Sequence, residues 1–508
     1  MNQTTYAFNE VKLSLADIAG AGYAEAACAA RAALTGDERS ELSKLAMQPV
    51  EFLPSAFLAR QAALLAQVGS KICPVLAHSP LGASTRDFNA HTKTAAAPLS
   101  AVGCFRVGED GRVYLTAKSE HYHTSLGHSF PGYRLLDVAR SLGIPNATHN
   151  NTRGFLTRLL EEKLIRAANG SGADLDAVLA STEPTVLNRV LNLETGSLAA
   201  EAALKMILST FYRSQRTMEA PRYAKRIPVV LVLGNDEAGL EANYHGTTVL
   251  TQIMRGMWPE LRTLLESQTL KVAAVRPNNL DDLEEAFIAY EKPPCKIAAF
   301  FHEIVMMNYG GRLLSPEFMH RAHELCAKSD VPVVVDEIQS GAWSPELLLY
   351  REYKLKPSFV AIGKGFPGGE YPASRLIFSA AYDNLTQFGA LVTNGQEELA
   401  SLAYLVTMRW IQENADVVGK LGNYYESAVR EIAANHQDLV SHIDGLRHMT
   451  TMSFHTLDAA NAFVRYLSKE GLDISAQTYK KDCPPAVLTK LPLIANVEVI
   501  DFVTGKMR

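Results

Sequence analysis

Short apolar runs alternate with amphipathic stretches through the middle of the chain. Each run is rich in β-branched and other apolar residues, as a buried parallel strand requires. The runs cover residues 186–193, 227–234, 271–275, 296–301, 332–335 and 359–363. Because helix-like segments separate these strands, the pattern predicts an α/β fold with a mostly parallel sheet covered by helices on both faces.

Helical periodicity is clearest at residues 156–168, 315–328 and 397–413. The alanine-rich start predicts one helix over 13–34 and one or two more within 41–70, with breaks at Pro49 and Pro54. Residues 103–114 predict a β-hairpin with Glu-Asp-Gly as its turn.

This pattern divides the chain into four regions. We expect an N-terminal helical extension at 1–95, which packs on the body or on a dimer partner. The N-terminal part of a small domain is predicted at 96–150, the large domain at 151–400 and the rest of the small domain at 401–508.

An acid and a lysine each follow one of the apolar runs. Asp336 ends the run 332–335, and Lys364 enters a glycine-rich turn after 359–363. Ligands of open α/β sheets bind beyond the carboxyl ends of strands, so both side chains are expected to face one crevice. Taken alone, an acid after a strand is more often a helix cap or a turn residue, and a lysine in a glycine-rich turn is usually a solvated charge. An aldehyde cofactor held as a lysine Schiff base needs both, because its ring nitrogen pairs with a carboxylate.

Composition narrows the classes of partner. The chain has 508 residues, 47% of them hydrophobic and 20% charged, with a formal net charge of −5. Lys and Arg are scattered, so no basic face for nucleic acid or anionic membrane is expected. The six cysteines lack metal-ligand spacing, and no run has the length of a membrane span. The start shows no signal-peptide pattern. We therefore expect a soluble, cytoplasmic protein without a metal site.

The glycine-rich turn and the acid belong to longer motifs. D-E-I-Q-S-G begins at Asp336, and G-K-G-x-x-G-G-x-Y-P contains Lys364. Together they resemble the class III aminotransferases, pyridoxal-phosphate (PLP) enzymes of fold type I. Further segments resemble other motifs of the family and follow one another in the family's order. They begin near residues 126, 194, 244, 303, 393 and 491. The resemblance implies a large domain with a seven-stranded type of sheet and a smaller α+β domain.

The resemblance also assigns the cofactor site residue by residue. It implies that Lys364 forms the Schiff base and moves the proton during catalysis, while Asp336 holds the ring nitrogen. Gln339 matches the residue that contacts the cofactor's phenolic oxygen, and Tyr244 matches the aromatic that stacks on its ring. The other cofactor-binding residues implied are His245 and Glu303, together with Gly196, Ser197 and Thr393 at the phosphate.

Thr393 carries an implication about assembly. The matching threonine of the family reaches the PLP phosphate of the neighbouring subunit. The resemblance therefore implies a homodimer with shared active sites.

The substrate side departs from the family pattern. Thr247 and Ser344 occupy places where relatives commonly carry arginines, and neither can imitate a guanidinium that binds a carboxylate at two points. Met306, Met307 and Trp343 further suggest a less polar pocket or a differently placed anchor. No substrate arginine is assigned.

Three functions are compatible with these residues. The first is an aminotransferase that moves an amino group from a primary amine or amino acid to an oxo acid. The second is a racemase, epimerase or aminomutase that uses the same cofactor site. The third is a non-catalytic binding module of this fold, against which the retention of both Lys364 and Asp336 argues.

Overall fold

A computed structural model describes residues 6–117, 123–147, 149, 151–170, 172–477 and 483–508. The helices are α1 (Leu15–Ala19), α2 (Ala21–Thr35), α3 (Arg39–Met47), α4 (Ser55–Leu65), α5 (Arg86–His91), α6 (Arg134–Ser141), α7 (Phe155–Asn169), α8 (Leu175–Ala180), α9 (Gly196–Leu208), α10 (Val249–Met254), α11 (Pro259–Gln268), α12 (Leu280–Tyr290), α13 (Pro316–Lys328), α14 (Leu349–Glu352), α15 (Glu398–Glu413), α16 (Ala415–Asn435), α17 (Leu457–Lys469) and α18 (Val497–Met507).

The strands are β1 (Lys12–Leu13), β2 (Val50–Glu51), β3 (Pro98–Val102), β4 (Phe105–Gly108), β5 (Val113–Thr116), β6 (Leu187–Leu193), β7 (Ile227–Leu233), β8 (Lys271–Val275), β9 (Cys295–His302), β10 (Val305–Met306), β11 (Arg312–Leu313), β12 (Val333–Asp336), β13 (Phe359–Ile362), β14 (Ser374–Ser379), β15 (Val440–Asp444), β16 (Thr451–Phe454), β17 (Leu472–Asp473), β18 (Ser475–Ala476) and β19 (Ala486–Leu488).

A seven-stranded sheet in the order β6-β14-β13-β12-β9-β7-β8 forms the centre of the molecule. The strands from β13 to β8 run parallel, whereas β14 pairs antiparallel with both β13 and β6. The α/β fold with a mostly parallel sheet is therefore confirmed. Every apolar run listed above lies on a strand of this sheet.

Two hydrophobic cores lie on the two faces of the sheet. Val333 and Val335 of β12 pack into one core with side chains of α7, α13 and α15. Val334, between them, packs into the other core with the alanines of α9. Successive side chains of a strand point to opposite faces, so a run that is apolar at every position needs helices on both sides.

Two four-stranded sheets lie outside the central one. The first has the order β17-β5-β4-β3 and the second the order β15-β16-β19-β18. The predicted hairpin forms β4 and β5, and β17 extends its sheet by pairing in parallel with β5. This pairing joins residues 472–473 to residues 115–116, so two distant parts of the chain build one sheet.

The N-terminal segment is helical, but the predicted helix over 13–34 is two helices. Ser14 caps α1 in a capping box with Asp17. Gly20 then adopts φ +90° and separates α1 from α2. A φ in this range favours glycine, which explains why the helix ends there although the alanine pattern continues.

The first described residues pack on the body of the same chain. The Phe8 and Trp410 rings lie 5.4 Å apart between centroids, and the backbone N–H of Asn9 donates to Asn414 Oδ1 at 2.8 Å. Residues 76–95, by contrast, are exposed throughout. Within the described ranges, no helix combines the length and the hydropathy that a bilayer crossing demands.

Buried histidines give the folded state a predictable response to acid. Burial lowers the pKa of His302 to about 4 and that of His448 to about 3, and both side chains are fully buried. The unfolded chain takes up these protons near pH 6.5, whereas the folded chain does not until the pH is far lower. Stability from these groups is therefore complete above pH 6.5 and is lost as the pH falls from 6.5 towards 4 for His302 and towards 3 for His448.

We expect His448→Leu to reduce this acid sensitivity. Each such histidine contributes up to ~1.4 kcal/mol per pH unit to the slope of the unfolding free energy. Urea unfolding between pH 7.5 and 5 should therefore give a shallower slope for the variant than for the wild type. The exposed His455→Leu serves as the control and should keep the wild-type slope. An unchanged slope for His448→Leu would contradict the expectation.

Candidate active site

A cavity of about 480 Å³ lies at the carboxyl ends of the central strands. Segments that follow β6, β9, β12 and β13 contribute to its wall, as expected for a ligand site in an open α/β sheet. It is lined by His123, Glu194, Thr195, Gly196, Ser197, Tyr244, His245, Gly246, Glu303, Asn308, Asp336, Ile338, Gln339, Lys364, Pro367, Gly369, Tyr371, Pro372 and Ala373.

The N-terminus of α9 forms one end of the cavity. Thr195 is the N-cap, and its side chain accepts from the backbone N–H of Ser197 at 3.1 Å. The loop of Gly246 packs against this turn, where the Thr247 N–H donates to Ser197 Oγ at 3.1 Å. Gly246 has φ +128°, and a Cβ there would lie 2.6 Å from Ser197 Cα. The close approach requires glycine, and the positive end of the helix dipole suits a phosphate.

A buried acid and histidine form a pair in the cavity wall. Asp336 is the last residue of β12, and His245 Nδ1 lies 2.9 Å from its Oδ2. The backbone N–H of Ile338 donates to Oδ1 at 3.1 Å. Only 6% of Asp336 and 4% of His245 is exposed, so the carboxylate is held in one orientation away from bulk water. A fixed buried carboxylate is the group that a protonated ring nitrogen requires.

The acid that follows Asp336 has a different role. Glu337 is fully buried, and its carboxylate accepts the backbone N–H groups of Leu349 and Tyr350 at 2.7 and 2.6 Å. Burial raises its pKa to about 7. Of the two adjacent acids, Asp336 therefore serves the cavity and Glu337 anchors the start of α14.

Lys364 stands in a strained turn directly after β13. Its φ is +39°, in the left-handed region that costs a residue with a Cβ roughly 1–2 kcal/mol. Gly368 and Gly369 continue the turn with φ +63° and +85°. Strain at a lysine that lines a cavity is the kind of feature that active sites retain.

The remaining predicted residues fall into two groups. Tyr244, Glu303 and Gln339 line the cavity, and the Arg255 guanidinium lies 5.4 Å from the centroid of the Tyr244 ring. Thr393 is exposed on the surface of this chain, outside the described lining residues. Eight of the nine residues assigned from the sequence thus surround one space, and the ninth faces outward.

Several lining residues were not singled out in the sequence. Asn308 lies five residues after Glu303 in the same motif, and Tyr371 belongs to the motif of Lys364, so both had a signal in their spacing. Glu194 directly precedes Thr195, the N-cap of α9. His123 has no recognisable signal, because only tertiary packing brings it to the wall.

The expectation of a less polar pocket from Met306, Met307 and Trp343 was wrong about these side chains. Between 0% and 1% of each is exposed, and all three belong to a hydrophobic core rather than to the described cavity lining. Ser344 is also buried, and its hydroxyl donates to Glu352 Oε1 at 2.6 Å. Glu352 in turn forms an ion pair with Arg447. The turn 342–345, which contains Trp343 and Ser344, is thus held by buried packing and by the hydrogen bond to Glu352.

Comparison with known proteins gives a consistent result. The family described as Aminotransferase class-III matches residues 88–503. The acetylornithine aminotransferase of Caldanaerobacter subterraneus is 22% identical over 234 residues, which are 45% of this chain and 58% of that enzyme. The ornithine aminotransferase of Saccharomyces cerevisiae is 24% identical over 68% of this chain and 76% of its own.

A solved structure shares the fold. The ornithine aminotransferase of Toxoplasma gondii ME49 superimposes with a TM-score of 0.66 at 20% identity, covering 85% of this chain and 95% of its own. In sequence, the chain spans less than two thirds of the length of the Caldanaerobacter enzyme. Residues 1–87 precede the family match.

Proposed function

Because the chain belongs to the class-III aminotransferase family, whose enzymes use pyridoxal 5′-phosphate, we propose that it is a PLP-dependent aminotransferase. Its reaction moves an amino group from a primary amine or amino acid to an oxo acid. The observation that carries the proposal is the shared cavity of Lys364, the Asp336–His245 pair and the α9 N-terminus.

The residues present fit this cofactor. Gly196 and Ser197 would hold the phosphate at the N-terminus of α9, and the glycine at 246 lets its loop pack closely on that turn. Tyr244 offers a flat face to the ring, and Asp336 offers a buried carboxylate to the ring nitrogen.

When bound, PLP supplies an aldehyde that combines with amines and a ring that withdraws electrons from the substrate carbon. Asp336 then holds a proton at the ring nitrogen, and His245 fixes the orientation of that carboxylate. Lys364 would supply the amine that bonds to the aldehyde, and the same amine would act as the base for the proton of the substrate carbon.

Thr393 supports a homodimer. It matches a family threonine that binds the partner's cofactor phosphate, and it is exposed in the single chain. We propose that the partner subunit's Thr393 completes each phosphate site. Lys and Arg are scattered along the sequence, and the six cysteines are isolated from one another. Both features also support a cytoplasmic location.

A half-reaction experiment tests the proposed activity. Purified protein is loaded with PLP and mixed with a panel of amines and amino acids, without an oxo acid. We expect one amine to convert the cofactor stoichiometrically to its pyridoxamine form, and an added oxo acid to restore the visible absorption band. A protein that gives no band with PLP would overturn the proposal. Continuous turnover without an oxo acid would instead indicate the racemase-type alternative.

A further inference from the structure

A lysine near the C-terminus is buried behind the cavity wall, next to Gln339. Lys490 follows β19, and 0% of it is exposed. Its Nζ donates to the backbone oxygen of Gln339 at 2.7 Å and lies 3.5 Å from Gln339 Oε1. Burying an ammonium is costly, so each polar contact that it makes is held firmly.

A tryptophan connects the same lysine to the turn of Lys364. Lys490 Nζ lies 3.8 Å from the centroid of the Trp343 ring, a cation–π distance, and the Trp343 indole N–H donates to Leu491 O at 2.9 Å. The same ring packs closely on Gly365, where a Cβ would lie 2.2 Å from Trp343 Cζ3. These contacts fix the backbone at Gln339 and at Gly365, the residue that follows Lys364.

The ammonium also constrains the Gln339 amide. Lysine only donates hydrogen bonds, so the amide oxygen is the end that faces Lys490. The amide –NH2 is then the end available to the cavity that Gln339 lines. A donor at that place stabilises a negatively charged phenolic oxygen, the atom assigned to Gln339 above.

We propose that Lys490, stacked on Trp343, is a positioning residue that sets the orientation of Gln339 and of the Lys364 turn toward the cofactor. This inference rests on the proposed function, because it concerns the same cofactor site. It also gives a role to the turn 342–345, whose sequence departs from the family pattern. Lys490 acts through Gln339 and Trp343 and needs no contact with the substrate.

The test compares the PLP spectrum and affinity of Lys490→Met with those of the wild type. Methionine has a similar length but carries no charge and no donor. We expect the visible band to shift and the dissociation constant for PLP to rise at least about tenfold, the loss expected from one buried charged hydrogen bond. Lys420→Met, at a half-buried lysine on α16, is the control and should match the wild type in both measurements.

A double-mutant cycle separates positioning from general damage to the fold. In a Gln339→Ala background, Lys490→Met should shift the band less than it does in the wild type, because the side-chain amide is absent and only the contact with Trp343 remains to act on the Lys364 turn. A band and an affinity unchanged in Lys490→Met, or an equal shift in both backgrounds, would overturn the positioning role alone. A wild-type protein without a PLP band would overturn the proposed function instead.

A second variant covers the case in which Lys490→Met does not fold. Trp343→Phe removes the indole donor and part of the surface between Lys490 and Gly365. We expect the same spectral shift with a smaller amplitude, and far-UV circular dichroism of the apo form confirms that the variant is folded. A folded Trp343→Phe variant with the wild-type spectrum and PLP affinity would contradict the proposal.

Discussion

Lys364→Ala is expected to abolish the visible band of the PLP-loaded protein and to lower turnover by at least about 10³-fold. General acid–base transfer alone contributes about 10²–10⁴-fold, and the variant also loses the amine that bonds to the aldehyde. Alanine takes over a backbone position with φ +39°, which it tolerates no worse than lysine does. The loss should therefore be chemical, and the apo variant should unfold at the wild-type temperature.

Lys354 provides a matched control for this experiment. It is an exposed lysine with φ +54°, so Lys354→Ala repeats the same change in the same kind of backbone, ten residues earlier and outside the described cavity lining. Its band and turnover should equal those of the wild type. If Lys364→Ala kept the band while Lys354→Ala lost it, the assignment of the Schiff-base lysine would be refuted.

Asp336→Asn is expected to leave PLP bound but to slow the half-reaction with an amine by about 10²–10³-fold. An opposite charge at 4–6 Å changes a pKa by about 1–3 units, and the ring nitrogen loses that help when the carboxylate becomes an amide. Asparagine keeps the shape of the side chain, and its oxygen can still accept from His245 Nδ1. Stopped-flow measurement of the band in a single turnover reports this step directly.

Asp416→Asn, a change at an exposed acid on α16, is the control for charge alone. It should leave the single-turnover rate unchanged. A wild-type rate in Asp336→Asn would show that the ring nitrogen needs no carboxylate here and that another group holds the cofactor. Loss of PLP binding with no change of rate in the bound fraction would give Asp336 a role in affinity only.

Local patterns predicted the elements that carry the chemistry. The apolar runs became strands of the central sheet, and Asp336 and Lys364 stand at the ends of two neighbouring strands, β12 and β13. Their meeting in one cavity follows from parallel pairing, because the carboxyl ends of parallel strands share an edge of the sheet. The resemblance to family motifs predicted the other residues expected in the cavity wall.

Other features required the folded chain. The break at Gly20 depends on one backbone angle that the alanine pattern does not reveal. The burial of Met306 and Met307 depends on which way a short segment turns after β9. His123 reaches the cavity wall without any local signal. For the two methionines and His123, the deciding contacts lie outside the sequence window in which periodicity is visible.

The sequence by itself determined six of the seven strands of the central sheet, the helices α7, α13 and α15, and the acid and lysine at two strand ends, because those follow from periodicity and turn chemistry between near neighbours. Only the tertiary structure placed Lys490 beneath Gln339, 151 residues away, and Trp343 against the turn of Lys364. Such contacts join residues whose separation in the chain carries no pattern. Packing decides them, because a buried ammonium and a buried indole must find their partners wherever the fold brings them.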